Sequence, residues 1–131
     1  MSQSLDQRRA KHAWDVVQAA KAREDRDEFA RQAKKLPVRI MACGLGQALA
    51  FIHAKEKTRG LILLPALADW ILDKRKNPAS TAAQPAADAL IKAIMEGNSL
   101  FLRRATDEAL SYLQWLTRFA DAEAEGLTGD D

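Results

Sequence analysis

Residues 99–120 read SLFLRRATDEALSYLQWLTRFA. At 100° per residue, Leu102, Ala105, Ala109, Leu113, Leu116 and Ala120 hold to one stripe. Phe101, Tyr112, Trp115 and Phe119 widen that apolar side to roughly 160° or more. The period is that of an α-helix, predicted to begin near Asn98 or Ser99 and to continue to about Glu125. Its apolar face is wider than one neighbouring helix covers, so the helix belongs inside a bundle.

Working outward, the same period recurs upstream. Ser4 with Gln7 makes a capping box, and Leu5, Ala10, Ala13, Trp14 and Val17 follow on one stripe, predicting a helix over about 5–24. The acidic knot Glu24-Asp25-Arg26-Asp27 suits the start of a second helix carrying Phe29, Ala30, Ala33 and Leu36. Pro37 is read as its end, because the residue before a proline is pushed out of helical geometry. A third helix then spans about 37–55, with Ile40, Met41, Leu45, Ala48, Leu49 and Ile52 inward. Gly44 and Gly46 inside it lower helix propensity and are expected to admit a close neighbour.

Residues 55–60 form a charged turn, and 61–64 stay ambiguous. A fourth helix starts near Pro65, holds Leu67, Ala68, Ile71 and Leu72, and ends in the basic run Lys74-Arg75-Lys76. The polar stretch 77–85 (NPASTAAQP) is a loop. A helix to about Glu96 follows, with Leu90, Ala93 and Ile94 inward and Gly97 placed as its C′ residue. No window alternates apolar and polar residues between turn signals. The fold class is all-α: a single-domain bundle of about six helices over 1–125, with 126–131 as a flexible tail.

The 131 residues are 47% apolar and 29% charged, with 6 Gly and 4 Pro, an ordinary globular composition. The apolar run from Leu61 to Leu72 is too short to span a membrane and is interrupted by Pro65 and Asp69. The start has no secretory pattern, which points to the cytoplasm. Cys43 is alone, so no intramolecular disulfide forms. His12 and His53 have no Cys, Asp or Glu at ligand spacing, so neither a metal nor another cofactor is called for. The run 44–49 (GLGQAL) lacks the third glycine and the preceding strand of a dinucleotide turn. Residues 129–131 (GDD) end a loose tail rather than a rigid strand. With no nucleophile, base and carboxylate placed together, no catalytic residue is assigned and the chain reads as a non-enzyme.

Charge is distributed unevenly. Residues 1–76 carry 16 Lys and Arg against 9 Asp and Glu, while 77–131 carry 4 against 9. The basic half suits a polyanion, and the basic positions Arg8, Lys34, Arg39, Lys57 and Lys74, with few exposed aromatics, would grip phosphates without reading sequence. The acidic half suits a basic neighbour, a second copy included. The aromatic end, Tyr112, Trp115 and Phe119, serves either the core or a protein interface.

Residues 33–38 (AKKLPV) running into 44–51 (GLGQALAF) resemble the signature of the small subunit of the Cmr-type (type III-B) CRISPR RNA-guided effector complex. The opening 7–13 (QRRAKHA) and the C-terminal 106–110 (TDEAL) and 115–120 (WLTRFA) are similar to the same family, whereas 61–98 matches it only in being helical. The resemblance implies a non-catalytic subunit. Such subunits stack head to tail along the backbone filament that holds the CRISPR RNA and help form the channel for target RNA. Its partners are then the backbone and large subunits, copies of itself, and the target and CRISPR RNAs, with no membrane and no small-molecule substrate. Within the matching blocks, Arg8, Arg9, Lys11, Lys34, Lys35 and Arg39 are the RNA-binding candidates, because they lie off the apolar stripes. Tyr112, Trp115, Arg118 and Phe119 are the candidate protein interface. The alternative is a helical DNA-binding regulator using the Leu36–Pro37 break as the turn of a helix-turn-helix; a small helical enzyme is a further reading.

Overall fold

A computed structural model describes residues 3–59 and 62–128, with side chains through 55 and from 62 to 123. Six α-helices, and no strand among the described residues, form the fold: α1 (Leu5–Lys21), α2 (Arg26–Cys43), α3 (Leu45–Arg59), α4 (Leu63–Ala68), α5 (Ala89–Glu96) and α6 (Ser99–Thr128). Helix α4 continues directly into a π-helical segment, Asp69–Lys74. No described helix is long and apolar enough to cross a membrane.

The wide apolar face of α6 has two neighbours. Helix α1 lies along one side and α2 along the other, while α3, α4 and α5 close the end of the bundle against α2 and one another. Ala105, Ala109, Leu113, Leu116 and Ala120 are buried as expected, with Leu36, Leu49, Ile52, Leu67, Trp70 and Leu90 among their companions in the core. Trp14, Met41 and Leu102, read as inward, are instead exposed.

Local chemistry sets several boundaries. Both hydrogen bonds of the capping box are present: Gln7 N–H donates to Ser4 Oγ (3.1 Å), and Ser4 N–H to Gln7 Oε1 (2.7 Å). Asn98 Oδ1 accepts from Phe101 N–H (2.9 Å) and starts α6. Helix α1 ends at Lys21, short of the expected 24, and α3 carries on through the expected turn to Arg59. Helix α6 likewise continues to Thr128, three residues into the expected tail, and residues 129–131 lie outside the described residues.

The main correction concerns Pro37. Helix α2 passes through it without interruption and ends at Cys43, so the expected boundary moves seven residues on, to Gly44. Proline in a helix interior removes one hydrogen bond and leaves the carbonyl four residues back without its donor. That carbonyl belongs to Ala33, and the Thr117 hydroxyl of α6 donates to it (3.4 Å). The chain breaks at Gly44 because this residue has φ +88° and ψ 160°, a conformation essentially reserved for glycine. Gly46 fits the expected close neighbour more loosely: Ile94 of α5 sits 3.7 Å from where a Cβ would stand. Gly97 does not adopt the left-handed cap conformation. Its backbone is extended (φ −83°, ψ 174°), and a Cβ there would meet the Phe101 ring at 2.8 Å and the Ala93 carbonyl at 2.9 Å.

Removing the hydroxyl by Thr117→Val should lower stability by about 1 kcal/mol, and by clearly less in a Pro37→Ala background, where an amide returns to Ala33; a double-mutant cycle by urea unfolding measures the difference. A Cβ at Gly44 meets open space, so Gly44→Ala should cost about 1–3 kcal/mol through backbone strain alone, readable as a shift in denaturation midpoint without a change in slope.

Candidate nucleic-acid interface

The π-helical segment organises the polar side of the molecule. Its wider turn, closed by Arg75 N–H donating to the Trp70 carbonyl five residues back (2.9 Å), brings Asp69 and Lys74 to one side. Lys74 Nζ bonds Asp69 Oδ1 (3.0 Å) and Asp73 Oδ2 (2.8 Å), and Ser80 Oγ donates to the same Asp73 oxygen (2.7 Å). The hydrogen bonds from Lys74 and Ser80 hold the Asp73 carboxyl below its ordinary pKa, and those to Asp73 and Asp69 raise that of Lys74.

Behind this turn lies a buried network joining three elements. Glu108 of α6 accepts two bonds from the Arg9 guanidinium of α1 and one from the Trp70 indole N–H (3.0 Å). The Glu108 contact raises the Arg9 pKa, so Arg9 is a permanent cation inside the fold. His12 bridges Tyr112 and Asp69, with Nδ1 2.7 Å from the phenol oxygen and Nε2 2.8 Å from Asp69 Oδ2. The Trp70 and Tyr112 rings stack (centroids 5.9 Å apart), and His12 packs against both. Burial first, then the charges of Asp69 and Asp15, push the Tyr112 phenol well above its ordinary pKa.

Over the network opens a groove of about 310 Å³ lined by Gln3, Arg8, Lys11, His12, Asp15, Trp70, Lys74 and Pro78. Both ring nitrogens of His12, which lines it, are engaged. The described residues contain no group of three or more His, Cys, Asp or Glu able to hold a metal ion. Of the groove's cations, Lys11 and Lys74 are paired with carboxylates, and Arg8 has no carboxylate partner among the described residues. A second groove, about 270 Å³, lies around the start of α6, lined by Arg75, Lys76, Asn98, Leu100, Phe101 and Arg104. Arg8 connects the two, since its guanidinium donates to the Arg75 carbonyl (3.2 Å).

The six RNA-binding candidates do not share one surface. Arg8 and Lys11 meet at the first groove, where Lys11 also pairs with Asp15 (2.8 Å) at an exposed position. Arg9 is turned inward to Glu108 and Asp6. Lys34 and Lys35 are exposed on α2, and Arg39 lies over the Phe51 ring of α3, 4.0 Å from its centroid. The side chain of Lys57 lies outside the described residues.

The interface candidates divide too. Tyr112 is wholly buried, so it presents nothing to another chain. Trp115 donates its indole N–H to Asp6 (3.0 Å), which keeps that carboxyl below its ordinary pKa, and Phe119 packs edge-on against Trp14 (5.3 Å). Much of the aromatic end therefore serves the α1–α6 contact. Arg118 is exposed and lines a groove with Pro37 and Met41. Sequence reasoning missed Asp69, Trp70 and Glu108, although an acid inside the apolar run 61–72 was a readable signal of a buried, partnered carboxylate. It also missed Arg75, Lys76 and Arg104 as a cluster, because they are joined only by the fold.

The chain is thus an all-α domain with cation-bearing grooves over a buried polar network. The family model described as CRISPR-associated protein (Cas_Cmr5) matches residues 5–123. The chain is 34% identical over 118 residues to "CRISPR system Cmr subunit Cmr5" of Thermus thermophilus, covering 88% of this chain and 92% of that protein. A crystal structure of a CRISPR-associated Cmr5 family protein, also from Thermus thermophilus, superposes with a TM-score of 0.76 at 30% identity, over 92% of this chain and 97% of the other. The chain belongs to the Cas_Cmr5 family, and the resemblance to Cmr-type small subunits is borne out.

The chain has one tyrosine, so absorbance at 295 nm reads Tyr112 alone. The folded state keeps its phenolic proton above pH 10 while the unfolded chain loses it there, so stability should fall as pH rises beyond about 10. Native protein that ionised near pH 10 would contradict this, and Tyr112→Phe should flatten that part of the stability profile.

Proposed function

We propose that this chain is the non-catalytic small subunit of a type III-B CRISPR RNA-guided complex in the cytoplasm, stacking along the backbone filament and steadying target RNA on the guide. Its partners are the backbone and large subunits, further copies of itself, and the two RNAs. Family membership supports the complex, and one observation on the molecule supports the RNA role. The cations divide by partner. Arg9, Arg23, Arg31 and Lys74 are ion-paired within the fold, whereas Arg8, Lys34, Lys35, Arg39, Lys76 and Arg104 have no carboxylate partner among the described residues.

An unpaired surface cation can neutralise a phosphate and release a counterion without first giving up an internal partner. Lys11 joins this set, because an exposed pair such as Lys11–Asp15 is weakly held and exchanges readily. Arg9 acts instead by positioning α1, and with it Arg8 and Lys11. For stacking, the exposed carboxylates Glu96 and Asp107 would suit a basic neighbour, and Arg118 is the exposed member of the interface candidates. The DNA-regulator reading loses its basis, since α2 runs through Pro37 where its turn was expected.

The triple variant Arg8→Glu, Lys34→Glu, Lys35→Glu should assemble normally yet weaken target-RNA binding of the complex by tenfold or more. The slope of log affinity against log salt should flatten by about 0.7 for each single-strand phosphate that is no longer neutralised. Unchanged RNA binding at moderate salt would refute the assignment. A strict monomer in sedimentation, alone and with the backbone subunit, would refute the stacking.

A further inference from the structure

We propose that the elbow between α2 and α3 seats an unpaired base of single-stranded RNA, with the Arg39 guanidinium as the stacking surface and Phe51 behind it. This rests on the RNA-holding role above and adds to it a contact that phosphate attraction does not explain.

The core face of α3 is complete without Phe51: Leu45, Ala48, Leu49 and Ile52 are all buried, while Phe51 is 45% exposed. The outward ring is occupied by cations. The Arg39 guanidinium carbon lies 4.0 Å from its centroid and Lys55 Nζ 5.1 Å, both within cation–π range. Two like charges are thus drawn to one ring, and neither has a carboxylate partner among the described residues. The guanidinium is also held from behind. Its NH1 donates to Gln32 Oε1 (3.1 Å), Gln32 is 1% exposed, and Gln32 Nε2 donates in turn to Glu28 (2.8 Å). A buried amide therefore fixes the orientation of a half-exposed arginine against an aromatic face.

Guanidinium planes and aromatic rings are the surfaces on which single-stranded bases stack. Lys35 precedes Arg39 by one helical turn and Lys55 follows Phe51 by one, so an ammonium is available on each helix for the flanking phosphates. A duplex would use the cations and leave the ring idle, since its bases are already stacked. An acidic peptide would need the charges alone.

The test uses the full-length chain at low ionic strength and two fluorescent strands of equal length and charge, oligo-adenylate and an abasic phosphodiester. Arg39→Lys keeps the charge and removes the plane; Phe51→Leu keeps apolar bulk and removes the ring. Each should weaken oligo-adenylate binding on the order of 5- to 150-fold, weaken the abasic strand far less, and leave the salt slope unchanged. Circular dichroism and the unfolding midpoint verify that both variants are folded. Variants matching wild type on oligo-adenylate, or losing both strands equally, would overturn the stacking seat while the phosphate grip stands. Competition by a poly-glutamate peptide that is itself sensitive to Arg39→Lys would also overturn it. Wild type that bound neither strand would overturn the RNA-holding role and this seat together.

Discussion

A carboxylate on the inward face of α6 governs how the rest of the molecule closes. Glu108 is 6% exposed, and an unpaired charge at that depth would cost several kcal/mol. It is tolerated because Arg9 arrives from α1 and Trp70 from the π-helical segment. Those contacts fix the rotation of both elements about α6. Apolar stripes alone specify which faces meet, whereas a directional pair on a packed helix specifies the angle at which they meet. The same arrangement turns Arg9 inward and leaves its neighbours Arg8 and Lys11 facing the groove.

Much of the fold was readable from period and caps. The stripe of α6 showed by its width that two helices would share it, and Ser4 with Gln7 marked the start of α1. Pro37 misled because its effect on a helix is judged locally, whereas the donor that relieves it, Thr117, comes from 80 positions away. Gly44 and Gly46 look alike in sequence, and only one of them takes the positive φ that ends α2. The π-helical segment leaves no mark in a 3.6-residue period, so the residues it aligns, Asp69 and Lys74, were not read as partners.

The candidate site was legible in sign and not in arrangement. A basic first half pointed to a polyanion, but sequence does not say which cations are already paired. Arg8 and Arg9 are adjacent and equally basic, yet one lines a groove and the other is enclosed by Glu108 and Asp6. Partner choice among charges is a long-range property of the fold, and here it separates cations paired inside the molecule from cations left without a carboxylate among the described residues.

The π-helical segment also limits how this chain can change in length. Its turn contains a residue more than an α-helical turn would, and losing that residue would swing everything after it by about 100°. Trp70 and Lys74 would then no longer face Glu108 and Asp69 together. The following connection, 77–88, has no helix to keep in phase and bonds the segment through the Asn77 N–H and the Ser80 hydroxyl, both donating to Asp73. That connection can therefore change in length at little cost to the network, whereas the six residues Asp69–Lys74 cannot.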